Sequence, residues 1–312
     1  MSSIDPVILF FILGVTAGLL RSDLRLPAAI YDFLTVLLLL AIGLKGGVEL
    51  SLQPFVALLP QMAAVTFMGI ALTPVAYAIL RYAGRFGRAD SASIAAHYGS
   101  VSVGTFAVAV AYLVSREVPF EAHMPLFVVL LEIPAIVVGV ALARGISKET
   151  SWKRLAHETL LGKSVLLLMG GLIIGWVIGP EAIKSLDGLF VQPFKGVLAL
   201  FLLEMGLLCA AQAASLRRHG VFLFVFGIGM PLVGAVVGSL VGWSINLSPG
   251  GTALLATLAG SASYIAVPAA MRLSVPESNP SLSLGVALGV TFPFNVTVGI
   301  PLYLAMAREV HG

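Results

Sequence analysis

Gly99-Ser100-Val101-Ser102 returns as Gly260-Ser261-Ala262-Ser263, 161 residues later. Each copy lies midway along an otherwise apolar stretch. Lipid cannot satisfy exposed backbone groups, so a run of small, hydroxyl-bearing residues at that depth belongs inside protein or against a cavity. Two such breaks at matching places in two halves of a chain are the best sequence pointer to a transporter's binding site. A broken helix offers two unlike ends. The N-terminus of its second half presents free N–H groups and partial positive charge, which suits an anion. The C-terminus of its first half presents free carbonyls, which suit Na+. The hydroxyls of Ser100, Ser102, Ser261 and Ser263 can serve either ligand, and Thr105 adds another one turn beyond the first break. Tyr264 sits at the second break, and Pro268 follows, freeing a carbonyl about four residues earlier. Each GSxS run alone also reads as close helix packing, with serines bonding back to carbonyls. The pair in register favours the site.

Ionisable groups inside the apolar stretches are few. Glu132, in Leu131-Glu132-Ile133-Pro134, is the leading candidate, because an acid within a membrane is a functional group by default. At the same offset of 161 the second half carries Pro293-Phe294-Asn295. Glu132, Asn295 and Thr105 together offer hard oxygen ligands for Na+. The alternative for Glu132 is a protonated acid bonded to a neighbouring helix. Glu204 faces an apolar counterpart position and reads as structural. Lys45 and Glu49 stand at i,i+4 near a segment end, where a mutual solvated pair is open to them. His97 and Tyr98 precede the first break; His97 could shuttle protons, but a lone histidine there reads more readily as a packed, hydrogen-bonded residue. No HExxH, Walker loop, GxSxG or paired-carboxylate signature is present, so the sequence indicates neither an enzyme nor a cofactor. Cys209 is the single cysteine, which excludes an intrachain disulfide and a cysteine metal cluster.

These residues need a membrane scaffold to position them. The chain of 312 residues is 59% hydrophobic and 11% charged, against about 25% charged in soluble domains. It is read as an all-α integral membrane protein. Ten apolar segments span about 6–20, 27–44, 55–80, 90–114, 122–143, 163–179, 190–210, 220–243, 250–271 and 284–307. The first is flanked by the acidic Asp5, so it reads as a retained helix rather than a cleaved signal. The net charge of +3 includes no basic block long enough for nucleic acid.

With the N-terminus outside, thirteen of the 18 Lys and Arg residues fall on inner loops and five on outer ones. The positive-inside rule therefore predicts both termini outside. The polar stretch 145–162 becomes a cytoplasmic linker between residues 1–144 and 163–312, with five helices on each side. Five is odd, so the two halves enter the membrane from opposite sides, and related halves form an inverted repeat. Ile42-Gly43-Leu44 before Glu49 parallels Met205-Gly206-Leu207 before Gln212, and each half ends in Ala-Arg, at 143–144 and 307–308. In such a pair the two broken helices approach each other near mid-membrane.

The chain resembles the sodium-dependent bicarbonate transporter family of cyanobacteria and other bacteria over nearly its whole length. The likeness is carried by Ile42-Gly43-Leu44-Lys45-Gly46-Gly47, Gly99–Phe106, Glu132-Ile133-Pro134-Ala135, Pro268–Arg272, Ile300-Pro301-Leu302 and, most specifically, Val275-Pro276-Glu277-Ser278-Asn279-Pro280-Ser281. The resemblance implies ten helices in five-plus-five inverted repeats, a core and a gate domain, and a homotrimer in the plasma membrane. It implies Na+-coupled bicarbonate uptake by an elevator-like movement, with the anion at Gly99–Ser102 and Gly260–Ser263. It also implies inhibition by a PII-like partner in cyanobacterial members. The chain departs from the familiar members in three places. Tyr264 and Glu132 each stand where those members carry aspartate, and the middle loop is short, which argues against the PII-like partner. The expected function is Na+-dependent symport of bicarbonate. The competing readings are a cation/proton antiporter or a carrier of another small organic anion, and, in a different class, a channel or membrane sensor.

Overall fold

The computed structural model describes residues 5–145, 152–216 and 220–312, and they form helices joined by short connections. The first part of the chain holds α1 (Pro6–Leu19), α2 (Ala28–Leu50), α3 (Phe55–Ala78), α4 (Arg88–Gly99), α5 (Val103–Ser115) and α6 (Met124–Arg144). A short α7 (Trp152–Leu160) lies between the halves. The second part holds α8 (Lys163–Ala182), a one-turn α9 (Asp187–Phe190), α10 (Phe194–Leu216), α11 (Val221–Ser244), α12 (Pro249–Ala259) and α13 (Ala266–Ser274). It closes with α14 (Pro280–Val286), α15 (Phe292–Phe294) and α16 (Ile300–His311), which run on as one segment through two π turns. Pro293 and Pro301 cannot donate to the carbonyls four residues back, and a π turn precedes each of them, at Ala287–Thr291 and Asn295–Gly299.

The protein is a multi-pass, all-helical membrane protein. Eight helical segments among the described residues are long and apolar enough to cross a bilayer, where ten were expected. The difference lies in two places. The helix α1 has only 14 residues, and the second GSxS run leaves α12 and α13 with 11 and 9 residues on either side of it. The first break interrupts fewer residues, so α4 and α5 together still read as one 28-residue span. Exposed Leu13, Val56, Phe67, Trp176, Val177 and Val225 turn outward from the outer helices, as a lipid-facing surface requires.

Two helix pairs pack backbone to backbone. On α1, a Cβ at Gly14 would fall 2.0 Å from the Leu203 carbonyl oxygen of α10, and one at Gly206 would fall 2.4 Å from the Phe11 carbonyl oxygen. On α2, a Cβ at Gly47 would fall 2.1 Å from the Leu172 carbonyl oxygen of α8, and one at Gly175 would fall 2.2 Å from that of Leu44. Small residues four apart (Gly14 and Gly18, Gly43 and Gly47, Gly171 and Gly175, Gly206 and Ala210) let these helices meet without a hydrophobic driving force between them. Ile42-Gly43-Leu44 and Met205-Gly206-Leu207 each lie at one of these close helix crossings.

The remaining helices gather around the breaks, with α3, α4 and α6 packed together and α11, α12 and α16 packed together. The specific string 275–281 is a staple for this group. Arg144, at the end of α6, pairs with Glu277 at 2.9 Å and also donates to the Ser274 carbonyl. The Asn279 N–H donates to Asp90 of α4 at 2.8 Å, while the Asn279 side chain caps α14 by accepting from Ser281 N–H.

Candidate functional site

The first break is built from its serines. Ser100 leaves α4 in an extended conformation, and Ser102 caps α5. Ser102 Oγ accepts from Thr105 N–H at 3.0 Å and from Thr105 Oγ1 at 2.9 Å, so Thr105 braces the cap. Gly99 is needed where it stands, because a Cβ there would lie 1.8 Å from Thr73 Oγ1. At the second break Gly260 packs under the Pro231 carbonyl, and residues 261–263 are non-helical. Val101 and Ala262 are buried and apolar, and they contribute backbone alone.

The two breaks touch. Ser102 N–H donates to Ser261 Oγ at 2.9 Å, and Ser261 Oγ in turn donates to the Leu258 carbonyl at 2.8 Å. Ser263 N–H donates to the His97 carbonyl at 2.8 Å. His97 Nδ1 lies 2.5 Å from the Ser263 carbonyl. A carbonyl only accepts, so Nδ1 carries the proton and Nε2 is left as a bare acceptor. All eight residues of the two GSxS runs are thus brought to one buried crossing.

On residues of the two breaks and beside them, three polar atoms are buried without a partner among the described residues: His97 Nε2, Ser100 Oγ and Tyr264 Oη. Buried polar groups are nearly always paired, so each of the three is open to a further partner. Around it, Asn295 Nδ2 donates to the Gly260 carbonyl at 2.8 Å, and Asn295 Oδ1 accepts from Tyr303 at 2.6 Å. Tyr98 donates to Thr291 Oγ1 at 2.5 Å, and Thr291 passes its own proton to the Gly227 carbonyl. Tyr303 and Thr291 are supports that sequence reasoning missed. Both lie in an apolar segment with no local pattern, and only the crossing gives them a role.

The three residues expected around Na+ have separate partners. Thr105 is tied to Ser102, and both ends of the Asn295 amide are occupied. Glu132 is fully buried; its Oε1 accepts from Ser164 Oγ of α8 at 3.0 Å, and its Oε2 has no partner among the described residues. No hydrogen bond joins Glu132 to Asn295 among the described residues. Ser164, the first neighbour of Glu132, was also missed, because it stands at the start of an apolar segment like any polar helix-end residue. Glu204 lies apart on α10 near Tyr31.

Two cavities approach the crossing. The larger, about 530 Å³, runs between α2 and α5 from Lys195 and Gln192 past Lys45 and Glu49 to Phe106, one turn from Ser102. Lys45 and Glu49 both line it, and no ion pair joins them. Burial lowers the pKa of His123, next to lining residue Ala122, against the opposing pull of Glu121, and so disfavours its cationic form. The smaller cavity, about 150 Å³, is lined by Lys163, Ser164, Ile265 and Ala266. It therefore lies between the partner of Glu132 and the residues just after the second break.

Residues 6–308 match the family model described as the Na+-dependent bicarbonate transporter superfamily. That is a family of transporters and not an enzyme class. No individually curated protein matches the chain.

Proposed function

The chain belongs to the Na+-dependent bicarbonate transporter superfamily, and from that membership we propose that it carries bicarbonate into the cell by symport with Na+. The observation that carries this reading is the direct contact of the two breaks, with three orphaned polar groups buried beside it. A planar anion with several acceptor oxygens suits the Ser100 hydroxyl and the N-terminal ends of α5 and α13. Bicarbonate also carries one O–H of its own, and His97 Nε2 is the acceptor at hand for it. Glu132 Oε2 is the charged ligand oxygen of the expected Na+ set and has no partner among the described residues, so the ion is assigned to Glu132, with Thr105 and Asn295 holding the two breaks in place around it.

The movement is assigned to the interface between two groups of helices. The pairs α1–α10 and α2–α8 form the gate, and α3–α6 with α11–α16 form the core that holds the crossing. Exchanging the halves exchanges these pairs: α1 on α10 becomes α8 on α2, with the glycines in register, which supports a five-plus-five inverted repeat. Counting α1 and the broken α12–α13 segment with the eight long segments gives ten spans. The distribution of basic residues favours both termini outside and residues 145–162 inside, and the family suggests the plasma membrane. On that orientation the larger cavity opens outward and the smaller inward, so that sliding the core past the gate exposes one site to each side in turn. A homotrimer and a PII-like partner belong to the same proposal only through the family.

Labelled bicarbonate supplied to transport-deficient cells tests the reading. Uptake is expected to saturate and to require Na+ at constant external pH. Equal uptake without Na+, or uptake driven by pH alone, would overturn it in favour of the proton-coupled alternative.

A further inference from the structure

We infer that Tyr264 sets the anion specificity of the crossing by donating its hydroxyl proton to the bound anion above the first turn of α5. The inference rests on the crossing being the anion site. Tyr264 is the only aromatic residue within the two breaks, it is 9% exposed, and its hydroxyl has no partner. It approaches Ser102 without hydrogen-bond geometry. Its position is fixed by Gly104: a Cβ there would fall 2.2 Å from Tyr264 Oη. The hydroxyl therefore hangs over the second residue of α5, where the N–H groups of Val103 and Gly104 precede the helical ladder. Thr105 N–H is already taken by Ser102 Oγ, and Phe106 N–H by the Ser102 carbonyl.

The ring is held so that only its hydroxyl faces this turn. Phe292 meets it edge-on, with ring centroids 5.5 Å apart. Phe201, stacked on Tyr31, closes the other side of Gly104, with an atom 2.9 Å from the same Cβ position. The phenol and the first turn of α5 thus stand together, and both can donate. A small oxyanion accepts from both, and the partial positive charge at the helix end disfavours a cation. In the neutral phenol the site has a donor that adds no charge at neutral pH, so the anion is read by hydrogen bonding and size.

Three variants of the full chain in proteoliposomes test this, each at measured abundance and with labelled bicarbonate as the probe. Tyr264→Phe keeps the ring and removes the hydroxyl; it is expected to raise the KM for bicarbonate about tenfold, with the Na+ half-saturation unchanged. Gly104→Ala is expected to abolish uptake by driving a methyl into the hydroxyl. Gly104→Ala with Tyr264→Phe is expected to recover part of the uptake, because the Phe201 ring, 2.9 Å from the same Cβ position, must still shift. An unchanged KM in Tyr264→Phe would overturn the role of Tyr264 while wild-type transport stands. A wild-type protein that takes up no bicarbonate would overturn the proposed function itself.

Discussion

Ser261→Ala is expected to lower bicarbonate uptake about tenfold or more at equal membrane abundance. Ser261 Oγ bridges the two breaks, accepting from Ser102 N–H and donating to the Leu258 carbonyl. Alanine leaves Ser102 N–H buried without its acceptor, a cost of about 1–3 kcal/mol. That cost falls on the cap of α5, so it loosens the helix end that faces the anion. Ser100→Ala makes the contrast. Ser100 Oγ has no partner among the described residues, so its loss removes none of their bonds and is expected to weaken bicarbonate affinity without lowering stability. Full uptake in Ser261→Ala would show that the contact between the breaks is packing alone.

Glu132→Gln is expected to raise the Na+ concentration for half-maximal uptake about tenfold or more, each factor of ten being about 1.4 kcal/mol. Glutamine keeps the shape and can still accept from Ser164, so the α6–α8 contact survives. What it removes is the charge beside a buried oxygen with no partner. A buried carboxylate without a counter-charge is costly, and a bound cation offsets that cost directly. The readout is the Na+ dependence of uptake at saturating bicarbonate. An unchanged curve with normal abundance would make Glu132 a structural acid.

The sequence shows the breaks because a run of serine and glycine is conspicuous in apolar surroundings, and the resemblance that motifs such as Gly99–Phe106 suggested agrees with the family match. The helical membrane class followed from composition for the same reason. What stayed hidden depended on geometry. Glu132, Thr105 and Asn295 read as one ligand set because all are oxygen donors, but each has its own partner, and no hydrogen bond joins them among the described residues. Lys45 and Glu49 read as a pair from their spacing, yet both line the large cavity without bonding to each other. Gly43 and Gly206 stood out in the sequence as a matching pair, but only the helix crossings show that they and Gly14, Gly47, Gly171 and Gly175 are contact points. Tyr264 was marked by its neighbours in the sequence, but its bearing on Gly104 needed the fold.

Coupling is the central claim, and purified protein in sealed liposomes tests it most directly. With equal bicarbonate and equal pH on both sides, an inward Na+ gradient is the sole driving force. Labelled bicarbonate is then expected to accumulate inside above its outside concentration and to drain when the Na+ gradient is collapsed. Bicarbonate that only equilibrates, whatever the Na+ gradient, would contradict the account and identify a channel.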